Sequence, residues 1–188
     1  MSTEDRSTGA LKTIGYEHHE VHDGEHYHVT LSTSDIGALT TATDTLTVSW
    51  TTPPVKEMHL AWSAICADGA RVRLIRGKTG GGATPSGTVT AYNSNELSSN
   101  TSHVTDVSGA NAGSVSHGAT LFTGGVTLHD EYLGGASIGA NLGVGAARGD
   151  NEIILKKSTL YQLSIFLSAA KVATLKMSWY EHIPKDSN

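Results

Sequence analysis

Residues 45–51, TLTVSWT, put Leu46, Val48 and Trp50 on one side of an extended chain and Thr45, Thr47 and Ser49 on the other. Successive side chains of a strand point to opposite faces, so a period of two reads as a half-buried strand. Pro53 and Pro54 end the run, since proline cannot donate to a sheet ladder. The alternation recurs at Tyr27, Val29 and Leu31 against His26, His28, Thr30 and Ser32. It recurs again over residues 172–180, with Val172, Thr174, Lys176, Ser178 and Tyr180 on one face and Ala173, Leu175, Met177 and Trp179 on the other. Residues 70–76, 88–92, 151–155 and 160–167 are short and rich in strand formers, and briefer strands are expected at 103–107, 119–122 and 126–128. Residues 55–66 fit either period. The turn Ala67-Asp68-Gly69 and the strand-forming run beyond it select a strand, a turn and a second strand.

With 55–66 read as strand, no convincing helix longer than two turns remains, and the composition agrees. Thr (23), Ser (20) and Gly (21) make up about a third of 188 residues, and charged residues are only 16%. A helical bundle would draw on Ala, Leu, Glu and Lys instead. The expectation is an all-β chain, a β-sandwich or jelly roll of about eight to ten short strands. A flexible N-terminal arm over residues 1–13 precedes a single domain over 14–188 with long Gly/Ala-rich loops, chiefly within 108–149.

Charge and cysteine content exclude several classes. The net charge is −5, with 13 Lys+Arg against 18 Asp+Glu, so no basic stripe is available for nucleic acid. Cys66 is the single cysteine, which rules out an internal disulfide framework. No stretch approaches the roughly 18 apolar residues of a membrane span. The stretch MSTEDRSTGALKT has neither the basic flank nor the apolar core of a secretion signal, so synthesis in a reducing cytoplasm is expected.

The chemistry-bearing groups are few. His18, His19, His22, His26 and His28 crowd into residues 16–28, YEHHEVHDGEHYH. His26 and His28 share a strand face, a spacing that suits a metal site. The remaining ligands do not follow: His19-Glu20-Val21-His22 is one residue short of the zinc-protease helix motif, and Ser32, Thr33 and Ser34 stand where a barrel site would need a carboxylate. The expectation is therefore contact histidines, with no bound metal and no cofactor. Cys66, beside Ile65 in an apolar run, reads as a small core residue. Lys78-Thr79-Gly80-Gly81-Gly82 lacks the order of a phosphate loop, and residues 139–149 lack a dinucleotide-binding context. Asp130 and Glu131 read as loop charges, and no catalytic residue is assigned. Trp50, Trp62 and Trp179 fall on apolar faces and suit a core. Tyr16, Tyr27, Tyr132 and Tyr180 sit near segment ends among charged neighbours, where an amphipathic ring serves either a core edge or an interface.

Four segments taken in order carry a resemblance: YEHHEVHDGEHY near the start, AYNSNELSSNTS at 91–102, NEIILKKSTLYQLSI at 151–165 and KMSWYEHI at 176–183. In layout the chain resembles the small head decoration, or cement, proteins of tailed bacteriophages, from about residue 14 to 182. The resemblance implies a sandwich or jelly-roll module, most often trimeric, on the outer surface of the virion head. There it would bind the major capsid protein, tie capsomers together and catalyse nothing. Residues for subunit or capsid contact would be Tyr16, His18, His19, His22, His26, His28, Tyr132 and Tyr180.

Two other classes stay open on the residues alone. One is a tail or fibre-base module or a carbohydrate-binding sandwich. A sugar binder would present aromatics on a concave face, whereas the tryptophans here read as inward. The other is a metal-dependent β-barrel enzyme using the histidines of 18–28. If those histidines lie at a subunit contact, association should weaken below about pH 6, as imidazoles that ordinarily titrate near ~6.5 gain charge together.

Overall fold

A computed structural model describes residues 21–32, 45–66, 70–77, 86–118, 124–133, 143–147, 152–167 and 172–183. Among them are twelve strands: β1 (His26–Ser32), β2 (Thr45–Thr51), β3 (Glu57–Cys66), β4 (Ala70–Arg76), β5 (Gly87–Thr90), β6 (Tyr92–Asn93), β7 (Ser114–His117), β8 (Val126–Leu133), β9 (Gly143–Ala147), β10 (Ile153–Leu155), β11 (Leu160–Leu167) and β12 (Ala173–His182). The alternating run at 45–51 and the runs of strand formers at 70–76 and 160–167 are strands with the bounds expected of them.

Two antiparallel sheets pack as a sandwich. The first has the order β10-β3-β12-β1-β6, with β9 also on β3, and the second the order β5-β7-β2-β11-β4-β8. β9 and β10 follow one another along the same strand, pairing with Trp62–Cys66 and Met58–Leu60 respectively. The chain passes from sheet to sheet through β1, β2, β3 and β4. It keeps β8 beside β4, returns β9 and β10 to β3, then inserts β11 between β2 and β4 and β12 between β1 and β3. Strands nested in this way make a jelly roll. The short strands β5, β6 and β7, inserted between β4 and β8, widen it: β6 extends the first sheet beyond β1, and β7 and β5 extend the second beyond β2.

The core is what the alternation dictates. Tyr27, Val29, Met58, Leu60, Met177 and Trp179 of the first sheet face inward. So do Leu46, Val48, Trp50, Leu74, Leu163 and Ile165 of the second, and all are buried. Trp50 stacks on Tyr161 at 5.9 Å between ring centroids, and Tyr27 lies 6.1 Å from Trp179. Full burial of such side chains stabilises by about 1.5–3 kcal/mol each. Trp50, Trp62, Trp179 and Cys66 are core residues, as the sequence indicates.

Four details depart from the reading of the sequence. Residues 103–107 form no strand, only bridges from Thr105 to Thr51 and to Ala112. β7 was not legible, because SVSH holds one apolar residue. The strand expected at 126–128 runs on to Leu133, so Asp130 and Glu131 lie in β8 and not in a loop. The cause is the partner strand, where Arg71 Nη2 reaches Asp130 Oδ2 at 2.5 Å and Arg73 Nε reaches it at 3.6 Å. Finally, the polar face of the second sheet is not simply solvated. Thr47, Ser49, Ser116, Gln162 and Ser164 are all fully buried. Among them Gln162 Nε2 donates to Ser49 Oγ at 3.1 Å. The arm expected at residues 1–13 and the strand expected at 119–122 lie outside the described residues. The small-residue stretch 134–149 is described at 143–147 only, where it forms β9 on β3.

Candidate functional site

The outward face of the first sheet carries the histidines. Since Met58 and Leu60 of β3 point inward, Glu57 and His59 point outward. By the same parity Tyr180 and His182 of β12 and His26 and His28 of β1 are outward. Antiparallel register then sets Ile154, His59, Tyr180 and His26 in one row across four strands. The row beyond it toward the strand end pairs Glu57 with His182, and the row on the other side runs through Ser178, His28 and Tyr92.

Around His26 and His28 the inserted segment acts as a clasp. Ser94 Oγ lies 2.6 Å from His26 Nδ1 and 3.2 Å from His28 Nδ1, and its amide donates to the His26 carbonyl at 2.8 Å. Asn93 Nδ2 donates to the carbonyls of Gly24 (2.8 Å) and Asn100 (3.0 Å). Asn95 and Asn100 reach the carbonyls of His22 (3.1 Å) and Asp23 (3.3 Å). The turn at 21–24 is closed by Gly24, whose φ of +73° favours glycine and whose Cα faces the Ser98 side chain. Burial, and then the Lys176 ammonium, push the His28 pKa below its ordinary value.

Behind the clasp lies a wholly buried carboxylate. Glu181 accepts from Ser102 Oγ (2.5 Å), the His103 amide (3.0 Å) and Trp179 Nε1 (2.9 Å), and lies 3.0 Å from His103 Nδ1. Glu25 binds Lys56 Nζ at 2.6 Å and accepts more distantly from the Tyr27 hydroxyl, at 3.4 Å. Burial, Glu25 and Glu181 together push the Tyr27 phenol far up, so it stays protonated.

The third group straddles β3, β12 and the residue before β10. His59 Nδ1 contacts Glu152 Oε1 and lies 2.8 Å from the Tyr180 hydroxyl, which itself donates to Glu152. On the other side of the ring, His59 Nε2 lies 2.8 Å from His182 Nε2.

Of the residues singled out from sequence, His26, His28 and Tyr180 meet on this one face, and His22 is exposed in the adjoining turn. Tyr132 is elsewhere. It stands 73% exposed on β8 of the second sheet, under the Arg71 guanidinium at 5.2 Å. Tyr16, His18 and His19 lie outside the described residues. Sequence reasoning missed Glu57, His59, Glu152 and His182, of which the two histidines are 123 positions apart. Strand parity held a partial signal: His182 continues the outward series that ends on Tyr180.

The same end of the molecule carries exposed apolar side chains. Tyr92, Leu97, Ile154 and Ile183 are each at least 60% exposed, and all belong to segments that border the histidine face. A surface of this kind can bury area and exchange hydrogen bonds with a partner. No family model, no curated protein and no solved structure matches the chain.

Proposed function

We propose that the chain is a structural protein of a tailed-bacteriophage virion. In this reading it binds the outside of the head, contacts the major capsid protein, bridges capsomers as a homotrimer and catalyses nothing. One observation carries the reading. The four segments on which the resemblance rests are far apart in sequence, yet each has described residues at one end of the first sheet: 22–27, 92–100, 152–155 and 180–183. Residues 22–28 are held by 93–100 through Asn93, Ser94, Asn95 and Asn100, and Glu152 meets Tyr180 beside them. The gathering of these parts beside exposed Tyr92, Leu97, Ile154 and Ile183 supports reading the face as a contact surface. The burial of all three tryptophans weighs against a carbohydrate-binding face, which would spend aromatics outward.

Co-sedimentation with expanded and unexpanded capsid shells tests the proposal, alongside light scattering of the purified chain. Saturable binding to expanded shells, weakened when His22 and Tyr92 are both replaced by Ala, is the expected result. A chain that pellets with neither shell form sinks the reading.

A further inference from the structure

The geometry points to a divalent metal site of the zinc type, held by His59 Nε2, His182 Nε2 and the Glu57 carboxylate. Ligand atoms of these three residues lie within 4.8 Å of one another. The two histidines do more than approach: their ring nitrogens face each other at 2.8 Å.

The surrounding hydrogen bonds orient both rings. Glu152 Oε1 is touched by both His59 Nδ1 and the Tyr180 hydroxyl. A carboxylate brings no proton of its own, so both neighbours donate to it, and the network assigns His59 its proton at Nδ1. His182 Nδ1 lies 3.3 Å from the Ile183 carbonyl, which only accepts, so Nδ1 is the donor of that contact. The two Nε2 atoms face each other, and their 2.8 Å contact is an N–H···N hydrogen bond whose proton a metal ion bound by both rings would replace.

The donor set selects its chemistry. Two imidazoles and a carboxylate suit a borderline ion such as Zn²⁺ better than Ca²⁺ or Mg²⁺, which take oxygen ligands. Zinc binds imidazole nitrogen at about 2.0–2.1 Å, so a tetrahedral ion would hold the two nitrogens roughly 3.4 Å apart. The rings need part by only about half an ångström from their present separation. His59, moreover, already has the partner that metal-bound histidines characteristically have, a carboxylate on the ring nitrogen that faces away from the ion. Three protein ligands leave a fourth position for water or for a group from another molecule.

The other cluster of this kind among the described residues, Glu25, His103 and Glu181, is a poorer candidate. Glu181 there already accepts from a hydroxyl, an amide and an indole, and Glu25 from an ammonium.

The test is titration of the chelator-treated chain, carrying no histidine tag, with Zn²⁺ by calorimetry and with Co²⁺ by visible absorption. One ion per chain is expected, with cobalt bands of a nitrogen/oxygen tetrahedral site. His182→Ala and His182→Gln should abolish binding, each checked for folding by near-ultraviolet circular dichroism. Glu152→Gln should weaken it about 10–100-fold. His103→Ala should leave it unchanged. Absence of stoichiometric binding, binding that survives both His182 variants in a folded chain, or binding lost with His103→Ala would each overturn the assignment.

Discussion

Glu181 Oε1 and Ser102 Oγ meet at 2.5 Å in the interior, joining the end of β12 to the segment that follows the clasp. The carboxylate is wholly buried and also takes the Trp179 indole N–H and the His103 amide. Replacing it with alanine strands these donors without water. Each buried donor left without an acceptor costs about 1–3 kcal/mol, so Glu181→Ala should unfold at far lower urea. Glu181→Gln keeps an acceptor oxygen and should cost less, about 1–3 kcal/mol. Midpoints for both variants equal to the parent chain's in urea unfolding would show that the network contributes nothing.

The clasp gives a second prediction. A Cβ built on Gly24 would lie 2.5 Å from Ser98 Cβ and closer still to its Oγ, at a backbone φ of +73°. Gly24→Ala should therefore push residue 98 away and loosen 93–100 from the 21–24 turn. Limited proteolysis should then cut within 94–100 faster than in the parent chain. Adding Ser98→Gly removes the contact and leaves only the left-handed strain, about 1–2 kcal/mol. The double variant should thus be the more resistant of the two.

Much of this architecture is written in period two. The inward series Leu46, Val48, Trp50 and Ala173, Leu175, Met177, Trp179 define faces without reference to any other strand, and they are the core. Which strand lies beside which is written nowhere in a single run. His59 meets His182, and Asn93 meets Gly24, only because β12 settles between β1 and β3 and β6 joins the edge of β1. The site therefore escaped a reading that looked for neighbours in sequence and found the crowded histidines of 18–28. Local charge misled as well: Asp130 and Glu131 look like loop residues until Arg71 and Arg73 are placed opposite. The polar runs of β2 and β11 suggest a solvated face, yet Ser49 and Gln162 satisfy each other under cover.

That buried pair is open to a double-mutant cycle. Gln162→Ala leaves Ser49 Oγ short of a donor in the interior and should cost about 1–3 kcal/mol. Ser49→Ala should cost a similar amount. Made together, the two changes should cost less than their sum, with a coupling of about 0.5–3 kcal/mol, as for residues in direct contact. Strict additivity in equilibrium unfolding would mean that the bond contributes no net stability.

Acid should act on the fold in two separate windows. In the unfolded chain the His28 imidazole titrates near about 6.5. In the folded chain burial, and secondarily Lys176, hold it lower, so between the two values the unfolded chain binds more protons. By linkage, the stability tied to His28 is fully present above about pH 6.5 and declines as the pH falls through the folded value. For Asp106, burial opposes ionisation. Hydrogen bonds from Asn111 and Ser108 side chains and from the Asn111 and Ala110 amides outweigh it, and the net shift is downward. Its contribution is intact above about pH 3.9 and is lost only below that. The urea midpoint should therefore hold steady near neutrality, fall once below about pH 6.5 and fall again in strong acid. His28→Asn should flatten the first decline, and Asp106→Asn should shrink the second, in which Asp130, held below the usual carboxylate range by its bond to Arg71, also takes part. A midpoint that falls identically in the His28→Asn chain would rule out His28 as the cause of the first decline.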